Sequence, residues 1–416
     1  MSREIVIIAG GDPLSEPGGG HSRYVAAHAR AALRAGYRPH LFCVAPDSGE
    51  VETDFGVIHR IASPFRPFRQ LMVIGHASRL AAAIEAFALS RPRPLLVHGF
   101  GVWGYAGVLA HERLARCGVS SVPILSSYTT YLVEAQAVRR AASRDRAWKR
   151  LVCSVHELWV RIAVRRLERR AYRGSRLVLV NYETIRRMVA EQFGPDLECR
   201  KMPYASESAF LRDDGPAARS SAASAPPADG VPTVQPPLVV AVARQEPRKG
   251  IAVLLRALAR VRARGIPFRA SLAGPGVLLD DHRRLARRLG LDPVVSVQGL
   301  VADAFGLIGQ ADVFVMPSLS EQSGSLAVLE ALQAGRAIVA SSVDGIAEDV
   351  TDDRDALLVP PGDERLLAEA LARALVDEPL RRRLGTRARE TFEARFSARA
   401  FAAALGALYR ELGDDA

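Results

Sequence analysis

Cysteine is scarce in this chain, and its few copies are not grouped. Cys43, Cys117, Cys153 and Cys199 are the four in 416 residues; they are widely separated, with no Cys-x-x-Cys spacing, which argues against a zinc site or a disulfide framework and for a reducing compartment. Long apolar runs are also missing: none approaches the ~20 residues of a membrane span. The first ten residues enter a strand pattern directly, without the cleavage region of a secretory signal. The expected setting is therefore the cytoplasm, or the inner face of its membrane. No repeat of solenoid length is visible. What remains is the composition of globular protein, 49% hydrophobic and 24% charged, in a chain long enough for two or three domains.

Charge is not spread evenly. Residues 1–210 carry 30 basic and 18 acidic side chains, whereas residues 211–416 carry 26 and 27. The first half is thus +12 and the second −1. Within the first half, residues 139–176 hold 13 basic against 3 acidic residues. Such a patch suits an anionic partner such as membrane phospholipid or a polyanionic acceptor. Nucleic acid is not expected, because no recognisable nucleic-acid module accompanies the charge.

Apolar strand-like runs alternate with helical stretches through most of the chain, the pattern of doubly wound α/β domains. In the first half the runs are residues 5–9, 41–45, 94–98, 122–125 and 177–180. The first of them enters a glycine-rich loop that ends in Gly18, Gly19 and Gly20, with a helix expected over 22–35. Residues 213–237 are rich in Ala, Ser, Pro and Asp with almost no large apolar residue, as in a flexible linker. The alternation resumes at 238–242 and continues through 270–274, 294–297, 312–317 and 337–340. The domain reading is an N-terminal unit over 1–212, a linker over 213–237, a C-terminal unit over 238–391 and a terminal segment over 392–416.

Two places in the second unit carry chemistry. Arg244 follows the strand at 238–242, and Lys249 and Gly250 follow five residues later. Across one turn both cations can converge outside the strand ends, where α/β proteins bind ligands; arginine can grip phosphate oxygens in pairs while lysine acts as a compact charge. The second place is the stretch from Pro317 to Gly335. It leaves a strand, turns through Ser and Gly residues and opens a helix that Ser325 can cap and Gly335 can stop. Glu321 and Glu330 flank that turn. A helix N-terminus there offers free N–H groups to an anion, and the carboxylates suit sugar hydroxyls.

Arg244, Lys249 and Gly250, then Leu272-Ala-Gly-Pro-Gly276, then Gly299 and Leu300, then Ala311-Asp-Val-Phe-Val-Met-Pro-Ser318, the glutamate-flanked turn and Leu357-Leu-Val-Pro-Pro-Gly-Asp363 together resemble, in order, the motifs of retaining GT-B glycosyltransferases of family 4. The likeness covers nearly all of residues 238–390 and is looser in the first half. It implies two Rossmann-like domains with a nucleotide-sugar cleft between them and a final helix crossing back to the first domain. It implies that Arg244 and Lys249 neutralise a donor diphosphate and that Glu330 holds the ribose. Gly324, Ser325 and Leu326 would offer backbone N–H groups to phosphate and sugar. Gly19 and Gly20 would let the first domain approach the pyrophosphate, with Gly274, Gly299 and Leu300 also lining the donor. The reaction implied is transfer of a sugar from a nucleoside-diphosphate sugar to a hydroxyl acceptor, with no metal or other cofactor. A sugar-nucleotide binding or assembly protein and a GT-B epimerase are the alternatives.

Two departures from the family pattern stand out. Its glutamates have seven residues between them, whereas Glu321 and Glu330 have eight, so either Glu321 or Gln322 faces the donor sugar. After the strand at 122–125, where many relatives carry a histidine, Ser127, Tyr128 and Thr129 are the acceptor-side candidates, with His98 nearby. Asp353 and Asp355 resemble a metal-binding Asp-x-Asp but fall in a turn-rich segment. Acceptor contacts are expected in the basic first unit. There, Phe65-Arg-Pro-Phe-Arg69 alternates aromatic and basic residues. Trp148, Leu151, Val152, Val155, Leu158, Trp159 and Ile162 recur at helical spacing among arginines. That helix either rests on anionic lipid or packs its stripe inward.

Overall fold

The computed structural model describes residues 3–14, 20–62, 73–90, 95–141, 147–202, 204–211, 235–321 and 323–414. Gly19, Gln322, the 65–69 loop and most of the 213–237 segment lie outside the described residues. The chain forms two compact units, Met1–Phe210 with Ala398–Ala416, and Leu211–Ser397.

The first unit holds a sheet in the order β3-β4-β2-β1-β5-β6-β7-β8. Its strands are β1 Arg3–Ala9, β2 Tyr37–Ala45, β3 Gly49–Thr53, β4 Gly56–Ala62, β5 Leu95–Phe100, β6 Ser121–Ser127, β7 Leu177–Val180 and β8 Cys199–Lys201. Every pairing is parallel except β3 with β4. Central strands are covered on both faces, so Ile5, Val6, Ile7 and Ile8 are all fully buried, and the sequence shows a continuous apolar run where a half-exposed strand would alternate. The β3–β4 hairpin is an edge feature that this criterion does not find. Its residues Gly-Glu-Val-Glu-Thr place charge on alternate positions, which also discourages pairing with another chain.

The helix after the glycine loop is Gly20–Arg34, two residues earlier at its start than the expected 22. The C-terminal helix Ala398–Asp414 packs on it, burying Phe401, Leu405 and Tyr409 completely. Glu411 near its end pairs with Arg200 of β8 at 2.7 and 2.8 Å.

The second unit holds six parallel strands in the order β11-β10-β9-β12-β13-β14. They are β9 Leu238–Val242, β10 Arg269–Ala273, β11 Val295–Val297, β12 Val313–Met316, β13 Ala337–Ser341 and β14 Leu357–Val359. Counted within this unit the order is 3-2-1-4-5-6, that of the Rossmann sheet, whose strand order reverses beside its first strand. That reversal lies between β9 and β12. Val239, Val240, Val313, Phe314, Ile338 and Val339 form its buried centre, with Leu254, Leu258, Leu329 and Leu332 packed from the helices.

Candidate active site

Three loops meet at the carboxyl ends of β9, β10 and β12, and backbone hydrogen bonds tie them together. Leu319 N donates to Arg248 O at 2.7 Å, joining the β12 loop to the turn after β9. Gln245 N donates to Pro275 O at 2.8 Å and Gly274 N to Gly299 O at 2.9 Å, joining β9, β10 and β11. Two glycines permit this closeness. A Cβ on Gly250, at φ 67°, would lie 1.9 Å from Pro317 O, and one on Gly274, at φ 136°, would lie 2.1 Å from Ala243 O. Both distances are far inside contact, and both φ values disfavour a side chain.

Inside that frame sits a buried ion pair. Lys249 Nζ donates to both oxygens of Glu321 at 2.6 Å. The lysine side chain is 11% exposed and the glutamate side chain 3%. Arg248 reaches the same carboxylate at 3.4 Å, and the fully buried Ser318 hydroxyl donates to it as well. Burial pushes the Lys249 ammonium below the usual lysine range, and Glu321 opposes that shift. Glu321 is held in turn from its backbone: its N–H donates to Asp344 at 2.6 Å, from a loop following β13. Asp344 adopts φ 46°, a left-handed conformation uncommon for a non-glycine residue.

The second unit's other described donor-side candidates lie at or near the same edge. Arg244 is exposed and pairs with Glu246 at 3.0 Å. Gly324 and Leu326 are partly buried, and Ser325 and Glu330 are buried, at and within the helix Leu326–Gln333. Ser325 occupies the N-cap position without a side-chain capping bond, so its expected capping role is replaced by a free helix start. Leu300 is 81% exposed beside Gly299. Gly20 opens its helix in the first unit. Glu321, one of the two expected sugar contacts, has its carboxylate on Lys249, Arg248 and Ser318. Sequence reasoning missed Ser318, Arg248 and Asp344. Arg248 adjoins Lys249 and Ser318 ends a quoted motif, whereas Asp344 carried no readable signal.

In the first unit the candidates are mostly consumed by packing. His98 is fully buried, with Nδ1 at 2.7 Å from Tyr409 Oη and Nε2 at 2.8 Å from Ser126 Oγ. Burial and the neighbouring His28 hold its pKa well below the usual value, so it is a neutral anchor for the C-terminal helix. Ser127 is fully buried against Tyr172 Oη at 2.7 Å. Tyr128 stacks on Tyr24 at 4.0 Å and bonds to His28 Nε2 at 3.1 Å. Thr129 differs: its Oγ1 is buried and has no partner among the described residues. Asn181, just past β7, is buried with both side-chain polar atoms in the same condition. A buried amide or hydroxyl is costly without a partner, so both residues have bonding capacity to spare at this edge.

No group of three or more His, Cys, Asp or Glu side chains arranged to hold a metal occurs among the described residues. Asp355 accepts from Thr351 N at 2.6 Å and Thr391 Oγ1 at 2.7 Å, which makes it a turn-holding residue. A surface pocket of about 320 Å³ bordered by His111, Ser121, Pro123 and Leu412 lies at the opposite, amino end of β6, away from the strand ends where ligands of this fold class bind.

Two parallel-sheet α/β units with charged groups gathered at the switch point define a protein of the GT-B class. A sucrose-phosphate synthase from Thermosynechococcus elongatus has the same fold at TM-score 0.74 and 24% identity over 100% of both chains. Anabaena HepE in complex with UDP and glucose has it at TM-score 0.64 and 16% identity, again over 100% of both chains. Residues 236–377 match the family model described as "Glycosyl transferases group 1". The chain is also 30% identical over 271 residues to the GDP-mannose-dependent alpha-(1-6)-phosphatidylinositol monomannoside mannosyltransferase of Mycobacterium tuberculosis, covering 63% of this chain and 68% of that protein. The chain belongs to the group 1 glycosyltransferase family. It spans less than half the length of seven other curated relatives that it matches.

Proposed function

We propose that this protein transfers a sugar, with retention of anomeric configuration, from a nucleoside-diphosphate sugar to a hydroxyl acceptor, as in the assembly of glycans, glycolipids or polysaccharides. The observation that carries this reading is the buried Lys249–Glu321 pair at the β9/β12 switch point, beside the exposed Arg244. Arg244 and Lys249 bind the diphosphate. Glu321 acts as a positioning residue that holds the ammonium in place before the donor arrives. Glu330 binds the ribose, and the start of the Leu326–Gln333 helix faces the distal phosphate and sugar with its free N–H groups. On the acceptor side, Thr129 and Asn181 supply the hydrogen bonds that their burial leaves unmade.

In the reaction the acceptor oxygen forms its bond to the anomeric carbon on the face from which the diphosphate leaves. The bond between that carbon and the phosphate oxygen breaks, and the departing oxygen takes the acceptor proton. The products are a glycoside and a nucleoside diphosphate. No side-chain nucleophile is required. The protein supplies positioning and stabilises charge that develops on the leaving group, terms that dominate when donors are fixed beforehand. Two cations and a helix start supply that stabilisation without a metal.

The test is a thermal-shift screen against UDP-, GDP- and ADP-sugars, followed by product analysis with an acceptor panel. A bound donor raises the melting temperature by mass action, and Lys249→Ala is expected to remove the shift and to cut transfer on the order of 10³-fold. A protein that no nucleotide stabilises would refute the reading. Stabilisation without turnover across the panel would instead favour a binding protein.

A further inference from the structure

The helix Ala147–Trp159 runs on through Val160–Val164 into the helix Arg165–Gly174. It packs mainly against the preceding helix Tyr131–Ala141, in the first unit. Trp148, Leu151, Val152, Val155, Leu158 and Ile162 are each more than half exposed, and Trp159 is 36% exposed. From Trp148 to Trp159 these residues fall within an arc of about 120° at 3.6 residues per turn. The opposite side is the packed one: Glu157, Val160, Val164 and Glu168 are buried there.

Charge on this element is sorted in the same way. Glu157 and Glu168 are its only acidic residues, and both are buried, Glu157 against Arg139 and Arg161. Arg161, Arg166, Arg169, Arg170 and Arg173 are exposed. The solvent side is thus an apolar stripe with tryptophans near both ends, leading into a stretch whose exposed charges are all positive. An exposed apolar patch of this kind marks an interaction site, and tryptophan and arginine around an aliphatic centre match the headgroup boundary of a bilayer. No helix of the described residues is long and apolar enough to cross a membrane, so the face would lie on the surface.

We propose that the solvent face of residues 148–173 docks on an anionic lipid surface, with Trp148, Leu151, Val155, Leu158 and Ile162 entering the headgroup boundary and Arg166 and Arg169 meeting lipid phosphates. Docking of this kind requires no nucleotide at the β9/β12 edge.

Co-sedimentation of the full chain with vesicles tests it, using phosphatidylcholine alone and phosphatidylcholine with roughly 30% phosphatidylglycerol, at low and high salt. Binding is expected only with the anionic vesicles, weakening with salt, and accompanied by a blue shift of tryptophan fluorescence. The double variant Leu151→Glu with Val155→Glu changes only exposed positions; circular dichroism should show it folded, and its partition coefficient should fall at least about tenfold. Wild-type protein left in the supernatant at low salt would overturn the proposal. So would equal binding by the variant, or binding indifferent to anionic lipid. Light scattering that finds a lipid-free dimer, split by the same double variant, would show the face to be a contact between copies of the chain.

Discussion

At the carboxyl edge of the second sheet, polar side chains meet across loops as charges: Lys249 and Arg248 on one loop, Glu321 on another, Arg244 exposed beside them. At the carboxyl edge of the first sheet, His98, Ser127 and Tyr128 meet hydroxyls and rings, and they hold the fold together as neutral groups. The two units share one layered plan, yet they use their strand ends differently. A buried charge pair offers a field to a ligand, whereas a neutral hydrogen-bonded cluster offers mainly rigidity. Thr129 and Asn181 depart from that pattern, with buried polar atoms that have no partner among the described residues.

The sharpest way to break this contrast is Lys249→Ala. It leaves Glu321 buried without its main partner, so a stability loss of about 3–5 kcal/mol is expected by urea denaturation. Transfer should fall on the order of 10³-fold in kcat/KM if Lys249 is the proposed cation at the leaving group. A variant with near wild-type turnover would move the chemistry elsewhere.

His98→Ala probes the other edge. Tyr409 and Ser126 lose their partner and a cavity opens, so a loss of about 2–4 kcal/mol is expected, with donor affinity unchanged. Weakened donor binding at unchanged stability would erase the difference between the two edges.

Glu168 gives a pH signature to the first unit. Its Oε1 accepts from Tyr131 N at 2.7 Å, and burial pushes its pKa from 4.5 up to about 7. The folded protein therefore keeps a proton that the unfolded chain has released. This contribution is full below pH about 4.5 and is lost as pH rises through 7, an effect of about 3 kcal/mol. Glu168→Gln should flatten that part of the stability profile; an unchanged slope would assign it to another group.

Smaller effects refine the comparison. Arg244→Ala should weaken donor binding by roughly 10–100-fold with no change in melting temperature, because the side chain is exposed and its pair with Glu246 contributes little to folding. Thr129→Val should raise the acceptor KM a few-fold while leaving the donor KM in place. A change confined to the donor would transfer Thr129 to the other substrate.

The parallel strands of the second unit were legible because burial on both faces writes them as apolar runs; β9 falls on the expected residues and β10, β11 and β13 within one residue of them. The β3–β4 hairpin was not, since its glutamates at alternate positions leave no apolar run. At the site, residue types were legible and pairings were not. Lys249 and Glu321 are 72 residues apart, and only the sheet order brings their loops together. Asp344 carried no signal, because its role depends on a left-handed backbone that sequence pattern does not encode. The stripe at 148–162 shows the same limit: periodicity defined its face but could not say what covers it.

Calorimetric titration of UDP, GDP and ADP into the wild-type chain and into Arg244→Ala and Lys249→Ala is the most direct test that the β9/β12 edge holds a nucleoside diphosphate. The expected result is micromolar binding of one nucleotide to the wild type, weakened roughly tenfold or more in Arg244→Ala and at least about 100-fold in Lys249→Ala. Wild-type protein that binds none of the three, or variants that bind as tightly as wild type, would contradict it.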